Sequence, residues 1–308
     1  MLGGNVFGWT ADEKASFAVL DAFVDAGYDF IDTADVYSRW VPGHQGGESE
    51  SMIGKWLGLS KKRNKIILAT KVGAPMGSST TKNLKKDYIL QEVEASLKRL
   101  QTDHIDLYQS HWDDLETPVE EPLQAYATLI KAGKVRVIGA SNFSAERLTA
   151  ALKASETQHL PRYESLQPMY NLMEREGFEK DLLAICENEG LGVLPYYSLA
   201  SGFLTGKYRT EADLNKSPRG AGVKKYLTPK GLGVLHALDI ISDRRNTDQT
   251  AVALAWLLTR PTITAPLASA TSAEQVKSLI KGVQLKLHPE DVSLLDEASV
   301  WGESSSQI

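Results

Sequence analysis

A repeated alternation of short apolar runs with amphipathic stretches constrains the fold of this chain more than any other feature. The short runs are rich in β-branched and aromatic residues, and the stretches after them carry apolar residues at helical spacing. Strands are predicted at residues 2–4, 28–32, 66–70, 105–109, 135–139, 165–167, 192–195 and 262–265. Helices are predicted at residues 13–26, 88–100, 123–132, 145–153, 178–189, 250–258 and 273–280.

The spacing of these elements indicates how they are connected. Between residues 32 and 195, successive strand ends are about 27 to 40 residues apart, the length of one strand and one helix. Eight such units close into a (β/α)8 barrel. The chain has 308 residues and no stretch with the composition of a linker. The sequence therefore predicts an α/β protein with a single barrel domain over residues 1–308.

One interval departs from this spacing. Pro195 and Ala265 are about 70 residues apart, roughly twice the length of a strand–helix unit. Residues 198–231 are rich in Gly, Ser, Pro and Lys, and loops of this length in compact domains usually cover or bind a ligand. We expect a long loop with a binding role after strand seven.

Composition and charge exclude several classes of protein. The chain has 34 Lys and Arg against 39 Asp and Glu, a net charge of −5, which argues against nucleic acid or an anionic membrane as a partner. Its single cysteine, Cys186, forms no internal disulfide and is expected to be buried on a helix. With no apolar run of membrane-spanning length and no signal-like start, we expect a soluble cytoplasmic protein.

Polar side chains follow the predicted strands near the point where each strand ends. In (β/α)8 barrels the reacting groups gather at these carboxyl ends. Any one such residue is most often structural, since a histidine is satisfied locally, a lysine extends to solvent and an aspartate caps a turn. The residues at these ends are Asp32, Tyr37, Lys71, His111, Ser141, Asn142, Gln167 and Tyr196.

Four of these residues together contain the parts of a proton-donating site. A tyrosine with a pKa near 10 is a poor acid at neutral pH, but an adjacent ammonium such as that of Lys71 favours the phenolate and lowers this pKa. An aspartate beside the lysine keeps it charged and oriented. The sequence gives less support to a metal site, because His111 and Asp113 have no further His or Cys at ligand spacing. The Gly-x-Ser-x-Gly and P-loop motifs are also absent.

Sequence blocks across nearly the whole chain resemble the aldo-keto reductase superfamily, in a bacterial-type branch similar to potassium-channel β subunits. In chain order the blocks are FIDTADVY, LATKVG, HIDLYQSHWDD, GKVRVIGASNF, SLQPMYNLMER, LPYYSLASGFLTGKY and TAPLASATSAEQV. The resemblance implies a (β/α)8 barrel that reduces aldehydes or ketones with NAD(P)H. It implies Tyr37 as general acid, Lys71 as the group that lowers its pKa, Asp32 as partner of Lys71, and His111 as the residue that orients the carbonyl.

The resemblance also implies a cofactor site. Ser141, Asn142 and Gln167 would hold the nicotinamide carboxamide, and Tyr196 would stack on the ring. The remaining implied cofactor residues are Tyr197, Ser198, Leu199, Gly202, Lys207, Arg219, Thr271 and Gln275. NADPH is the expected cofactor. NADH stays an alternative, because Ser269-Ala270-Thr271 replaces the Gly-Ala-Arg of many members and Leu279 stands where Asn is common. The family's N-terminal hairpin would precede Leu2, so either residues precede this start or the barrel bottom is capped otherwise.

An aromatic, partly apolar pocket is expected to receive a small carbonyl compound. Its predicted lining residues are Trp9, Trp40, Trp112 and Tyr170. A partner subunit of the channel β type is the main alternative, although those subunits lack the counterpart of His111. An aldolase or isomerase with a Schiff base on Lys71 would leave Tyr37, Asn142 and Gln167 without a shared role. The substrate, the reaction direction and the oligomeric state are not predicted.

Overall fold

A parallel β-sheet organises the structure, a computed structural model that describes residues 1–217 and 219–302. Its strands are β1 (Leu2–Gly3), β2 (Phe30–Asp32), β3 (Ile67–Val72), β4 (Ile105–Ser110), β5 (Val135–Ser141), β6 (Tyr163–Gln167) and β7 (Gly192–Val193). They lie in the sheet in chain order, and each neighbouring pair from β1 to β6 is parallel. The predicted α/β class and parallel strand order are confirmed.

Helices follow most of the strands. They are α1 (Glu13–Asp25), α2 (Glu48–Ser60), α3 (Lys86–Leu100), α4 (Glu120–Lys131), α5 (Ala145–Gln158), α6 (Glu176–Glu179), α7 (Leu182–Glu189), α8 (Pro229–Arg245), α9 (Gln249–Leu258), α10 (Ala273–Gln284) and α11 (Pro289–Ala298). Short 3-10 helices cover Arg63–Lys65, Ala200–Thr205, Glu211–Lys216 and Gly220–Tyr226. The single helix predicted at 178–189 is two helices, and α2, α8 and α11 were not predicted.

Local sequence signals set several of these boundaries. Asp12 caps α1, since its side chain accepts a hydrogen bond from the Ala15 backbone N–H at 2.8 Å. Within α2, Gly54 disfavours a helix intrinsically. A Cβ at this position would lie 2.0 Å from the Arg99 carbonyl oxygen, so close packing requires the glycine.

The chain divides into two compact units. Unit 1 comprises residues 1–167, 189–192 and 269–276, and unit 2 comprises residues 168–188, 193–268 and 277 onwards. In unit 2 the strand predicted at 262–265 is present only as an isolated parallel bridge between Val193 and Ile263. The described residues therefore form seven strands, and the eighth predicted strand is represented only by this bridge.

The segment predicted as a long loop, residues 198–231, has local structure of its own. Three of the 3-10 helices lie within it. Its apolar side chains Phe203, Leu204, Tyr208 and Val223 are fully buried. The described part of this segment is thus partly helical and partly buried, whereas its Gly, Ser, Pro and Lys content predicted a long loop.

Two further expectations concern burial and membranes. Cys186 is buried as predicted, and burial raises the pKa of its thiol to about 12.

Across residues 1–217 and 219–302, no helix is both long and apolar enough to cross a membrane.

The strand register of unit 1 sets the positions of the polar residues predicted from the sequence. Asp32 at the end of β2 pairs with Ala69 of β3, and Lys71 of β3 pairs with Gln109 of β4. Side chains alternate between the two faces of a strand, so Ala69 and Lys71 share a face. The carboxyl ends of β2, β3 and β4 therefore present Asp32, Lys71 and Gln109 as near neighbours.

Candidate active site

A fully buried ion pair lies at the centre of the candidate site. The Lys71 Nζ is 2.5 Å from Asp32 Oδ2, and both side chains are inaccessible to solvent. Burial lowers the pKa of the Lys71 ammonium, but the charges of Asp32 and Tyr37 more than offset this effect and leave the pKa above its ordinary value. Lys71 therefore carries a positive charge at neutral pH in a dry environment.

The ammonium of Lys71 also fixes the orientation of Tyr37. Its other two donors reach the Thr33 carbonyl oxygen at 2.8 Å and the Tyr37 hydroxyl oxygen at 3.3 Å. An ammonium cannot accept a hydrogen bond. The proton of the Tyr37 hydroxyl therefore points away from Lys71, an orientation that suits a proton donor.

His111 lies beside this group as a neutral imidazole. The ring centroids of His111 and Tyr37 are 5.7 Å apart. Burial, and then the charge of Lys71, hold the pKa of His111 well below its ordinary value. Its buried Nδ1 makes no hydrogen bond with the described residues. His111 can therefore orient a polar group without acting as a cationic acid.

Two glutamine amides complete the surroundings of Asp32. Gln109 Nε2 and Gln167 Nε2 donate to Asp32 Oδ1 at 3.2 and 3.1 Å. Gln167 was predicted from the sequence, whereas Gln109 was not. The sequence could have indicated Gln109, because it lies two residues before His111 and alternation along an extended strand puts both side chains on one face.

Ser141 and Asn142 lie together at the end of β5. Asn142 Nδ2 donates to the His111 carbonyl oxygen at 2.9 Å and to Ser141 Oγ at 3.0 Å. Ser141 Oγ donates to the Gln167 carbonyl oxygen at 2.8 Å. Unit 1 thus brings the predicted residues from β2 to β6 into one connected group.

Three tryptophan rings lie near the rings of Tyr37 and His111. The Trp40 ring lies edge-on to Tyr37 at 5.6 Å and contacts Trp9 at the same distance. Trp112 stacks near His111 at 6.3 Å. Trp40 and Trp112 are 48% and 38% exposed. The three tryptophans predicted for the pocket thus lie close to Tyr37 or His111, and their role in a pocket stays a prediction.

Tyr170 occupies a different environment, in unit 2. It is 2% exposed, its ring packs against Phe178 and Trp256, and its hydroxyl donates to Glu179. This is the environment of a core residue rather than that of an exposed pocket lining.

Most of the other predicted cofactor residues belong to unit 2. Tyr196 and Tyr197 have ring centroids 5.2 Å apart, and the Lys207 ammonium lies 5.1 Å from the Tyr208 ring. Burial lowers the pKa of Arg219, while Tyr197 and Tyr208 oppose the shift. The unit 2 residues of this predicted set are Tyr196, Tyr197, Ser198, Leu199, Gly202, Lys207 and Arg219.

Thr271 and Gln275 lie in unit 1 at the start of α10. The Gln275 side-chain oxygen accepts hydrogen bonds from the Thr271 backbone N–H at 2.8 Å and from its hydroxyl at 3.2 Å. The pair forms a small polar turn.

A second buried acid, Asp35, lies two residues before Tyr37. Neither of its carboxyl oxygens receives a hydrogen bond from the described part of the chain. Burial, and then the charges of Glu50 and Glu92, raise the pKa of Asp35 well above its ordinary value, although Arg99 opposes them. Asp35 therefore favours its protonated form.

We expect Asp35→Asn to raise the free energy of unfolding at pH 8 by about 1 to 3 kcal/mol. The folded protein binds the Asp35 proton more tightly than the unfolded chain. The parent therefore loses stability as pH rises above the ordinary aspartate pKa of about 4. The asparagine side chain does not titrate, so the stability difference between Asp35→Asn and the parent should vanish near pH 4. Urea unfolding at both pH values measures this, and an equal effect at both would contradict the assignment.

In the described ranges, no group of three or more His, Cys, Asp and Glu side chains is arranged to hold a metal ion. The group around Tyr37 combines a phenol, an ammonium, a carboxylate and a neutral imidazole. It can deliver one proton from Tyr37 to an atom bound beside His111.

Comparisons with known proteins agree on one family. A model of the aldo/keto reductase family matches residues 1–300. The uncharacterized oxidoreductase YrpG of Bacillus subtilis is 35% identical over 303 residues, which cover 96% of this chain and 90% of that protein. Aldo-keto reductase YhdN of the same bacterium is 35% identical over 295 residues, covering 94% and 85%. Aldo-keto reductase AFTS1 of Alternaria alternata is 32% identical over 318 residues, covering 94% and 83%.

Proposed function

This chain belongs to the aldo/keto reductase family, and we propose that it reduces the carbonyl group of small aldehydes or ketones to an alcohol, with NADPH as hydride donor. The observation that supports this most is the contact series from Asp32 through Lys71 to the Tyr37 hydroxyl, with neutral His111 beside it. The family implies a (β/α)8 barrel as a single domain, and we propose that fold with the parallel strand order in its support.

We propose that Tyr37 is the general acid. Reduction adds a hydride to the carbonyl carbon and builds negative charge on the oxygen, which a positioned acid neutralises as the charge forms. The Lys71 ammonium stabilises the phenolate that remains, and Asp32 holds Lys71 charged. His111 orients the carbonyl oxygen through its neutral ring.

The chemistry that NADPH supplies when bound is hydride transfer. We propose that Ser141, Asn142 and Gln167 hold its nicotinamide carboxamide. The unit 2 residues that we propose for the rest of the cofactor are Tyr196, Tyr197, Ser198, Leu199, Gly202, Lys207 and Arg219. Lys207 fits a phosphate group because its ammonium contacts the Tyr208 ring and forms no ion pair with a carboxylate of the described residues. Thr271 and Gln275 offer hydroxyl and amide groups to an adenosine 2′-phosphate, and NADH is the alternative cofactor.

Trp9, Trp40 and Trp112 form the proposed substrate pocket. Their rings are apolar, and the Tyr37 hydroxyl and His111 supply polar groups at its floor. This combination suits a carbonyl compound with an apolar or aromatic remainder.

Nucleotide titration and a carbonyl panel together test the function. We expect saturable quenching of tryptophan fluorescence by NADPH, followed by its oxidation in the presence of aldehydes or ketones, with NADH compared in parallel. A channel-type partner subunit would bind the nucleotide and reduce no carbonyl. Absence of binding of both nucleotides would contradict the oxidoreductase proposal.

A further inference from the structure

Gln109 is a buried polar residue in the proposed reaction site, where its side chain contacts Asp32. It lies on β4 between Leu107 and His111, on the face that these residues share. Its side chain is fully buried, as are those of Asp32 and Lys71. An amide at such a position must find hydrogen-bond partners, because an unpaired buried amide is costly.

Its partners orient the amide in one direction. Gln109 Nε2 donates to Asp32 Oδ1 at 3.2 Å, and Gln109 Oε1 accepts from Gln167 Nε2 at 3.2 Å. Gln167 Nε2 also donates to Asp32 Oδ1, at 3.1 Å. Asp32 thus gives one oxygen to the Lys71 ammonium and the other to two neutral amides.

We propose that Gln109 is a positioning residue that makes Tyr37 a stronger acid, acting through Asp32 and Lys71. Its amide stabilises negative charge on the Asp32 oxygen that faces away from Lys71. More of the positive charge of Lys71 is then effective at the Tyr37 oxygen. In a dry site this redistribution is large, because little solvent screens it.

The sign of the effect follows from this charge balance. Without the Gln109 amide, Asp32 exerts a stronger negative potential on Lys71 and Tyr37. The Tyr37 phenolate is then less favoured, so the phenol becomes a weaker acid. A weaker acid transfers its proton less readily to the carbonyl oxygen, and it also loses that proton only at higher pH.

His111 titrates in a different pH range from Tyr37. It follows β4, and burial and the charge of Lys71 hold its pKa well below the ordinary value. The alkaline side of a pH profile therefore reports on Tyr37 and Lys71.

The test is a comparison of the parent with Gln109→Met by two alkaline titrations. The first measures phenolate absorbance in the near ultraviolet, with the signal of Tyr37 isolated by subtracting Tyr37→Phe. The second measures the alkaline limb of kcat/KM for carbonyl reduction. We expect both midpoints to rise by about half to one pH unit in Gln109→Met, with unchanged NADPH affinity. We also expect kcat at neutral pH to fall several-fold.

Ser165→Ala is the matched control. Ser165 is a buried neighbour of Gln109 in the strand register through Gly139, and its Oγ makes no hydrogen bond with described residues. It should leave both midpoints unchanged. Gln109→Asn keeps the amide but shortens its reach, and it supplies the measurement if the methionine variant folds poorly.

The outcomes separate this inference from the proposed function on which it rests. Unchanged midpoints in the Gln109 variants, with a reducing parent, would overturn the role of Gln109 alone. A parent that reduces no carbonyl would overturn the proposed function. The phenolate titration needs neither substrate nor nucleotide, so it would then still decide whether Gln109 sets the acidity of Tyr37.

Discussion

Tyr37→Phe should lower kcat for carbonyl reduction by about 10² to 10⁴-fold, equivalent to about 3 to 5 kcal/mol of barrier. The substitution removes one oxygen and keeps the ring contacts with Trp40 and His111. Lys71 loses one of three hydrogen-bond acceptors. We therefore expect a loss of only about 0.5 to 1.5 kcal/mol in the free energy of unfolding. Nucleotide affinity should not change.

Steady-state reduction and nucleotide titration of the same preparation measure this separation of effects. Tyr28→Phe is the matched control, since Tyr28 precedes the opposite, amino end of β2. It removes a hydroxyl without removing a proton donor. Turnover by Tyr37→Phe within threefold of the parent, with NADPH bound normally, would refute Tyr37 as the general acid.

The strands were predictable because parallel strands buried on both faces appear as short apolar runs. The predictions for β3, β4 and β5 begin within one residue of the observed starts and end one or two residues early. Helix α8 was missed because Gly231 and Gly233 interrupt its apolar pattern. A Cβ at Gly231 would lie 1.9 Å from the Tyr226 carbonyl oxygen, so tertiary packing requires that glycine. No periodicity argument detects such a contact.

The sequence predicted most of the residues that belong to the candidate site, but it predicted only some of the contacts between them. The position after a strand identified Tyr37, Lys71 and His111 as candidates. The amide of Gln109 escaped notice because its role depends on which oxygen of Asp32 contacts Lys71. Tyr170 shows a related limit, since a tyrosine after a strand can turn toward a pocket or toward the core, and its ring packs against Phe178 and Trp256.

Lys71→Met should reduce kcat to an extent similar to Tyr37→Phe, and the double variant should be little worse than either single one. The two residues act as a unit, because Lys71 acts on the substrate only through the Tyr37 hydroxyl. If the two residues contributed independently, the fold-loss in kcat of the double variant would be the product of the two single fold-losses.

Lys71→Met also has a cost in stability that complicates a simple activity test. It leaves the fully buried Asp32 carboxylate without its cation, which typically costs 3 to 5 kcal/mol. Low activity alone could then reflect unfolded protein.

Combining Asp32→Asn with Lys71→Met separates the loss of activity from the loss of stability. The pair of substitutions removes both charges, and an asparagine oxygen can still accept the amides of Gln109 and Gln167. We expect the combined variant to recover most of the Tm lost in Lys71→Met while kcat stays at least about 10²-fold below the parent. Activity that returned together with stability would mean that Lys71 only holds the fold. If the combined variant is stable but still inactive, the chemistry needs the charge of Lys71.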